Sequence, residues 1–101
     1  MEVILSPWAD QDLEELIRYI GRHDSAEQAR HVLDSLSTLP ERGPILPELS
    51  ALGITRYRQV FFKHYRIVYK VQDTYVRVLL IQDGRRDMKT LLEARLMQDT
   101  G

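Results

Sequence analysis

The sequence predicts an α+β domain: two N-terminal antiparallel helices packed on a twisted, mainly antiparallel sheet, made of an N-terminal strand and a three-stranded meander, with a short C-terminal helix. Three observations predict it. Apolar residues recur at helical spacing at Leu13, Leu16, Ile17 and Ile20, and again at Ala26, Ala29, Leu33 and Leu36. Beyond Gly53 the period changes, and three runs rich in β-branched and aromatic residues follow with short polar links between them. Leu91, Leu92 and Leu96 then resume a helical stripe.

Each element has a local reason. Glu2 to Leu5 reads as a short strand closed by Ser6-Pro7, where Ser6 can cap a helix and Pro7 suits the first helical position because its missing N–H would be unpaired there. Asp10, Asp12, Glu14 and Glu15 crowd the first turns, where carboxylates favour the positive end of the helix dipole. The run from Asp10 to Glu15 reads as a solvated helix face. Gly21 to Asp24 breaks the pattern, and Ser25 with Gln28 forms a capping box for a second helix. Pro40, Gly43, Pro44 and Pro47 mark a loop that ends at Gly53.

The meander is predicted over Ile54 to Phe62, Tyr65 to Gln72 and Tyr75 to Gln82, with turns at Lys63-His64 and Asp73-Thr74. Alternation puts Tyr65, Ile67, Tyr69 and Val71 on one face of the middle strand. His64, Arg66, Val68 and Lys70 then share the other face, which is the expected functional one. In the last strand Val76, Val78 and Leu80 are expected on one side and Arg77, Leu79 and Ile81 on the other, so this strand is apolar on both sides and central. Asp87 is positioned to cap the final helix.

At 101 residues and 44% hydrophobic, the chain reads as a single domain, residues 1–101. The absence of cysteine excludes disulfides and thiolate chemistry and suits a reducing cytoplasm. The apolar stretch before Pro7 is too short for a signal-peptide core, and no run reaches membrane-span length, so the sequence reads as soluble, unprocessed and cytoplasmic. His23, His31 and His64 lack metal-ligand spacing, and neither a metal nor a cofactor is expected.

The near-neutral net charge of −1 hides an asymmetry. Residues 1 to 53 carry four Arg and ten carboxylates, whereas residues 54 to 101 carry ten Lys or Arg and five carboxylates. An acidic helical half thus precedes a basic sheet half, and such a polarised molecule suits an anionic partner through a local patch. Arginines recur on segments that otherwise read as buried strands, ending in Gly84-Arg85-Arg86-Asp87. Gly84 permits a tight strand exit that displays the side chains after it. Arg66 has a plainer role open to it, pairing with Asp83 or Asp87 to hold the sheet to the last helix.

The ordered set Leu5-Ser6-Pro7-Trp8-Ala9, Asp12-Leu13, Tyr19-Ile20, Tyr57-Arg58, Tyr65-Arg66-Ile67-Val68-Tyr69, Asp83-Gly84-Arg85-Arg86-Asp87, Leu92 and Arg95-Leu96 resembles the ParE/RelE superfamily of type II toxins. The resemblance spans nearly the whole chain and implies two activities. RelE-like toxins cut mRNA on the ribosome, which needs a base for the ribose 2′-hydroxyl, cations for the developing phosphorane charge and an acid for the leaving oxygen. Arg58, Arg66, Arg85 and Arg86 are the candidate cations, with Lys63 or His64 as acid/base candidates. The RelE-type lysine pair falls on Arg58 and Val60, and the tyrosine near the last helix falls on Leu91 or Leu92. Arginine stays charged and is a poor general base.

ParE-like toxins inhibit DNA gyrase, and the opening helix and the tail from Arg85 to Leu96 are closer to that pattern. The resemblance therefore implies a ParE-like gyrase inhibitor of the plasmid-stabilization kind, with Arg58, Tyr65, Arg66, Arg85, Arg86 and Arg95 as target-binding residues. It further implies a cognate antitoxin whose disordered tail folds over the toxin in a hetero-oligomer. The ribosome-dependent endoribonuclease acting on mRNA, and a non-toxic module that only binds antitoxin, are the alternatives.

Overall fold

Four strands form one mixed sheet in the order β1-β4-β3-β2. They are β1 (Glu2–Leu5), β2 (Tyr57–Phe62), β3 (Tyr65–Val71) and β4 (Tyr75–Asp83). The helices described over their whole length are α1 (Pro7–His23), α2 (Pro47–Ser50) and α3 (Met88–Gln98). The computed structural model describes residues 2–23, 30–31, 34–36, 38, 43–62 and 65–98. β2, β3 and β4 form the expected antiparallel meander, while β1 joins β4 in parallel, from Glu2 opposite Tyr75 to Leu5 opposite Val78.

The chain leaves β1 and enters α1 as its sequence dictates. Ser6 Oγ accepts the Ala9 N–H at 3.1 Å, the Ser6 carbonyl accepts the Asp10 N–H at 2.9 Å, and Pro7 occupies the first helical position. Helix α1 continues through Gly21, where a break was expected, to His23. The second expected N-terminal helix falls mostly outside the described residues; of its length, residues 30, 31 and 34–36 are helical and Leu36 is buried.

The expected Pro-Gly loop contains a helical turn, α2, that starts on Pro47. Gly53 closes it at φ 77°, with its N–H on Ser50 O at 3.0 Å and the Ile54 N–H on Leu49 O at 3.1 Å. That pair of bonds is a Schellman cap, whose left-handed residue favours glycine. Strand β2 accordingly starts at Tyr57, later than the predicted Ile54.

Hydrophobic clusters cover both faces of the sheet. Ala9, Leu16 and Ile20 of α1, with Leu36, pack on Ile67, Tyr69, Val76, Val78 and Ile81. On the opposite face Leu46, Leu49, Met88 and Leu92 cover Tyr57, Val68, Leu79 and Leu80. Burial of each such aliphatic side chain contributes roughly 1.5–3 kcal/mol. The face that carries Arg66, expected to be the functional one, is therefore largely the seat of α2 and α3.

β4 is internal and apolar on both sides, as predicted, but its alternation is interrupted. Val68 pairs with Leu80 and Tyr69 with Val78, so Leu79 is an extra residue in a β-bulge. Leu79 and Leu80 both join the α2/α3 side, and Ile81 returns to the α1 side with Val76 and Val78. A strict period of two had put Leu80 with Val78 and Ile81 with Arg77. Among the described residues, no helix is long and apolar enough to cross a membrane.

Candidate functional site

The bulge leaves backbone groups on the β4 edge beyond the end of β1, whose ladder closes with the Ser6 N–H on Val78 O at 2.9 Å. Side chains complete that edge. Arg95 Nη1 of α3 donates to Leu79 O at 3.0 Å, and the Ile81 N–H donates to Asp12 Oδ2 of α1 at 3.1 Å. The two side chains also pair with each other in a fork, Nη1 to Oδ2 at 2.7 Å and Nη2 to Oδ1 at 2.9 Å. Gln82 Nε2 adds a fourth hydrogen bond to the same carboxylate, on Oδ1 at 2.7 Å. Asp12 is only 5% exposed, so it belongs to the buried side of α1 and not to the solvated face read from the acidic run. Arg95, an expected target-binding residue, is largely buried against it, with its side chain 13% exposed, and joins α1, the bulge and α3.

Past Gln82 the strand runs into the Asp83-Gly84-Arg85-Arg86-Asp87 turn. Asp83 organises this turn: Oδ1 accepts the Arg85 N–H at 2.9 Å, Oδ2 accepts Arg85 Nη2 at 2.6 Å, and the Asp83 carbonyl accepts the Arg86 N–H at 3.1 Å. The hydrogen bond and charge of Asp83 hold the Arg85 guanidinium above its ordinary pKa, and the nearby Tyr19 and Tyr65 phenols reinforce the effect. The Arg85 side chain is nonetheless 75% exposed. Asp87 caps α3, taking the Thr90 hydroxyl at 2.7 Å and the Thr90 N–H at 3.3 Å, and these bonds lower its pKa, the hydroxyl most.

Between this turn, α1 and β3 lies an open cleft of about 290 Å³. Tyr65, Arg85 and Arg86 meet there with Glu15, Tyr19 and Gln82. Tyr19 and Glu15 were not singled out from the sequence as site residues. Their spacing of four on α1 is the signal that puts them on one helix face, and Tyr19 is 52% exposed.

The other predicted residues lie elsewhere. Arg66 is only 6% exposed, opposite Gln82 and Phe61, and its Nε donates to Gln59 Oε1 at 2.5 Å. Burial on the α2/α3 side corrects the expectation that Arg66 is displayed to a target. Arg58 pairs with Tyr69, four residues along β3 from Tyr65 and so about 13 Å away at the usual strand rise. Its Nε is buried without a hydrogen-bond partner among the described residues. Lys63 and His64 lie outside the described residues. Of Leu91 and Leu92, the two positions on which the resemblance puts the RelE-type tyrosine, Leu92 is buried in the core and Leu91 packs partly buried against it.

No curated protein matches the chain. A family profile described as the ParE toxin of the type II toxin-antitoxin system, parDE, matches residues 3–88, from β1 through the arginine turn to the first residue of α3. With the strand-helix opening, the meander and the Gly84-Arg85-Arg86 turn all inside that match, the chain belongs to the ParE toxin family of type II toxin-antitoxin systems.

Proposed function

We propose that this ParE-family toxin acts by binding and inhibiting DNA gyrase, and that a cognate antitoxin neutralises it by occluding the toxin surface. Gyrase is a cytoplasmic target, so the protein acts in the cytoplasm, held in a hetero-oligomer with its antitoxin until released. The observation that carries this function is the dispersal of the arginines. Phosphoryl-transfer chemistry on RNA requires cations converging on one phosphate. Here Arg58 lies some four residues along the ladder from Tyr65, Arg66 is buried on the far face, and Arg95 is committed to Asp12. Tyr65, Arg85 and Arg86 remain together on an exposed cleft, an arrangement suited to gripping a macromolecular surface. The target-binding role thus narrows to these three residues with Tyr19.

Purified protein is expected to inhibit gyrase supercoiling, and overexpression without antitoxin to cause filamentation with DNA damage. Codon-specific cuts in ribosome-bound message, mapped by primer extension, would replace gyrase inhibition with RNA cleavage. Unchanged growth on overexpression would leave only a binding module.

A further inference from the structure

Arg85 and Arg86 are adjacent in sequence but differ in electrostatic standing. Arg85 is forked onto Asp83 and largely neutralised by it. Arg86 Nη1 donates instead to Gln82 Oε1 at 2.7 Å, a neutral acceptor, and Arg86 has no carboxylate partner among the described residues. Its full charge therefore faces the cleft, and most of its five N–H donors remain available to a ligand.

Gln82 is itself held from behind. Its Nε2 donates to Asp12 Oδ1 at 2.7 Å, and Asp12 is fixed by the Arg95 fork and the Ile81 N–H. This fixes the sense of the amide. Reversing it would set the carbonyl against the Asp12 carboxylate and the NH₂ against the Arg86 guanidinium, two repulsive contacts in place of two hydrogen bonds. A continuous chain runs from Arg95 through Asp12 and Gln82 to Arg86, from a buried ion pair to an exposed cation.

We propose that Gln82 is a positioning residue: anchored by the buried Asp12–Arg95 pair, it holds the Arg86 guanidinium at the mouth of the cleft in the orientation that meets the target. The functional half of this proposal rests on the reading of the cleft as the target-binding site; the positioning half does not.

Gln82→Met tests both, since it keeps the side-chain length and removes the amide donor and acceptor. In ¹⁵N spectra of the full-length purified protein, the Arg86 Nη signals are expected to be resolved by hindered rotation in the wild type and to collapse to an average in the variant. The melting temperature should stay near that of the wild type, because Asp12 keeps Arg95 and the Ile81 N–H. The concentration for half-inhibition of gyrase should rise about 3- to 10-fold, the equivalent of one partly exposed hydrogen bond to a charged group. Combined with Arg86→Met, the Gln82 change should add nothing further.

Arg86 signals that are alike in the wild type and the variant would overturn the positioning role, as would losses that multiply in the double variant. Should Arg86→Met alone leave inhibition intact, the target-binding reading of the cleft falls, while the spectra still decide whether Gln82 orients Arg86. Gln82→Asn, whose amide is one methylene too short to span both partners, gives the same spectral comparison if the methionine variant does not fold.

Discussion

Asp12→Ala is the substitution that tests most of the architecture at once. Asp12 accepts from Arg95 Nη1 and Nη2, from the Ile81 N–H and from Gln82 Nε2, at distances of 2.7, 2.9, 3.1 and 2.7 Å. Removing it leaves a largely buried guanidinium with Leu79 O as its remaining acceptor among the described residues, and orphans the Ile81 N–H on the bulged strand. Breaking a buried ion pair by deleting one partner costs about 3–5 kcal/mol. A chain of this length has a total stability of roughly 5–15 kcal/mol, so the loss is a large fraction of the whole. At about 4–8 °C per kcal/mol, the melting temperature should fall by about 12 °C or more. Urea unfolding of Asp12→Ala, Arg95→Met and the double variant closes a cycle, and the double variant should be more stable than the sum predicts by about 1 kcal/mol or more, since removing both charges leaves neither stranded. A loss below about 1 kcal/mol for Asp12→Ala, or additive losses in the cycle, would show that the pair does not hold α1, β4 and α3 together.

Arg85→Ala combined with Arg86→Ala should leave the circular dichroism and melting temperature near those of the wild type and abolish toxicity; full toxicity at normal expression would remove both from the target site. Gly43→Ala places a Cβ on Tyr69 Oη, and Tyr69 is fully buried, so overpacking should cost about 1–3 kcal/mol in urea unfolding. Adding Tyr69→Phe, which removes the obstructing hydroxyl, should restore much of that loss, and no restoration would place the strain elsewhere. Asp87, lowered from its ordinary 3.8 chiefly by the Thr90 hydroxyl, contributes stability that is present above that value and lost as pH falls through the lower folded value. Asp87→Asn should therefore flatten that part of the acid melting curve, and parallel curves for variant and wild type would deny the cap a role.

Local signals in the sequence carried the elements that local chemistry decides. Ser6-Pro7 starts α1, Asp87 caps α3, and the three strands of the meander lie within a few residues of their predicted ends, because caps, prolines and β-branched runs act over a turn or two. Two further features were set by partners distant in the chain. Asp12 stands three residues after Ala9 and four before Leu16, inside the apolar stripe of α1, and that position is the signal that it is buried. Its counter-ion is 83 residues away, so no local pattern distinguishes it from the solvated carboxylates beside it. The bulge at Leu79 was equally hidden, since Val78 through Ile81 are all apolar and an unbroken alternation fits the letters as well. Its displacement by one residue moved Leu80 and Ile81 to the faces opposite those expected.

That single extra residue also bears on how the charge asymmetry of the sequence is to be understood. An acidic first half and a basic second half suit an anionic partner, but part of the complementarity is satisfied within the chain. Where the bulge ends the β1–β4 pairing, a carboxylate from the acidic half and a guanidinium from the basic half meet and replace the missing strand. Asp83 similarly neutralises Arg85, and Arg66 is turned inward onto Gln59. At the cleft, the cation without a carboxylate among the described residues is Arg86, with Glu15 lining the same cleft. A lone guanidinium is screened beyond about 8 Å at physiological ionic strength, so it cannot draw a target from afar. Recognition at this site must then come from contact, with Tyr19 and Tyr65 supplying area and Arg86 a directed hydrogen-bonding fork, and the orientation of that fork matters more than the number of basic residues around it.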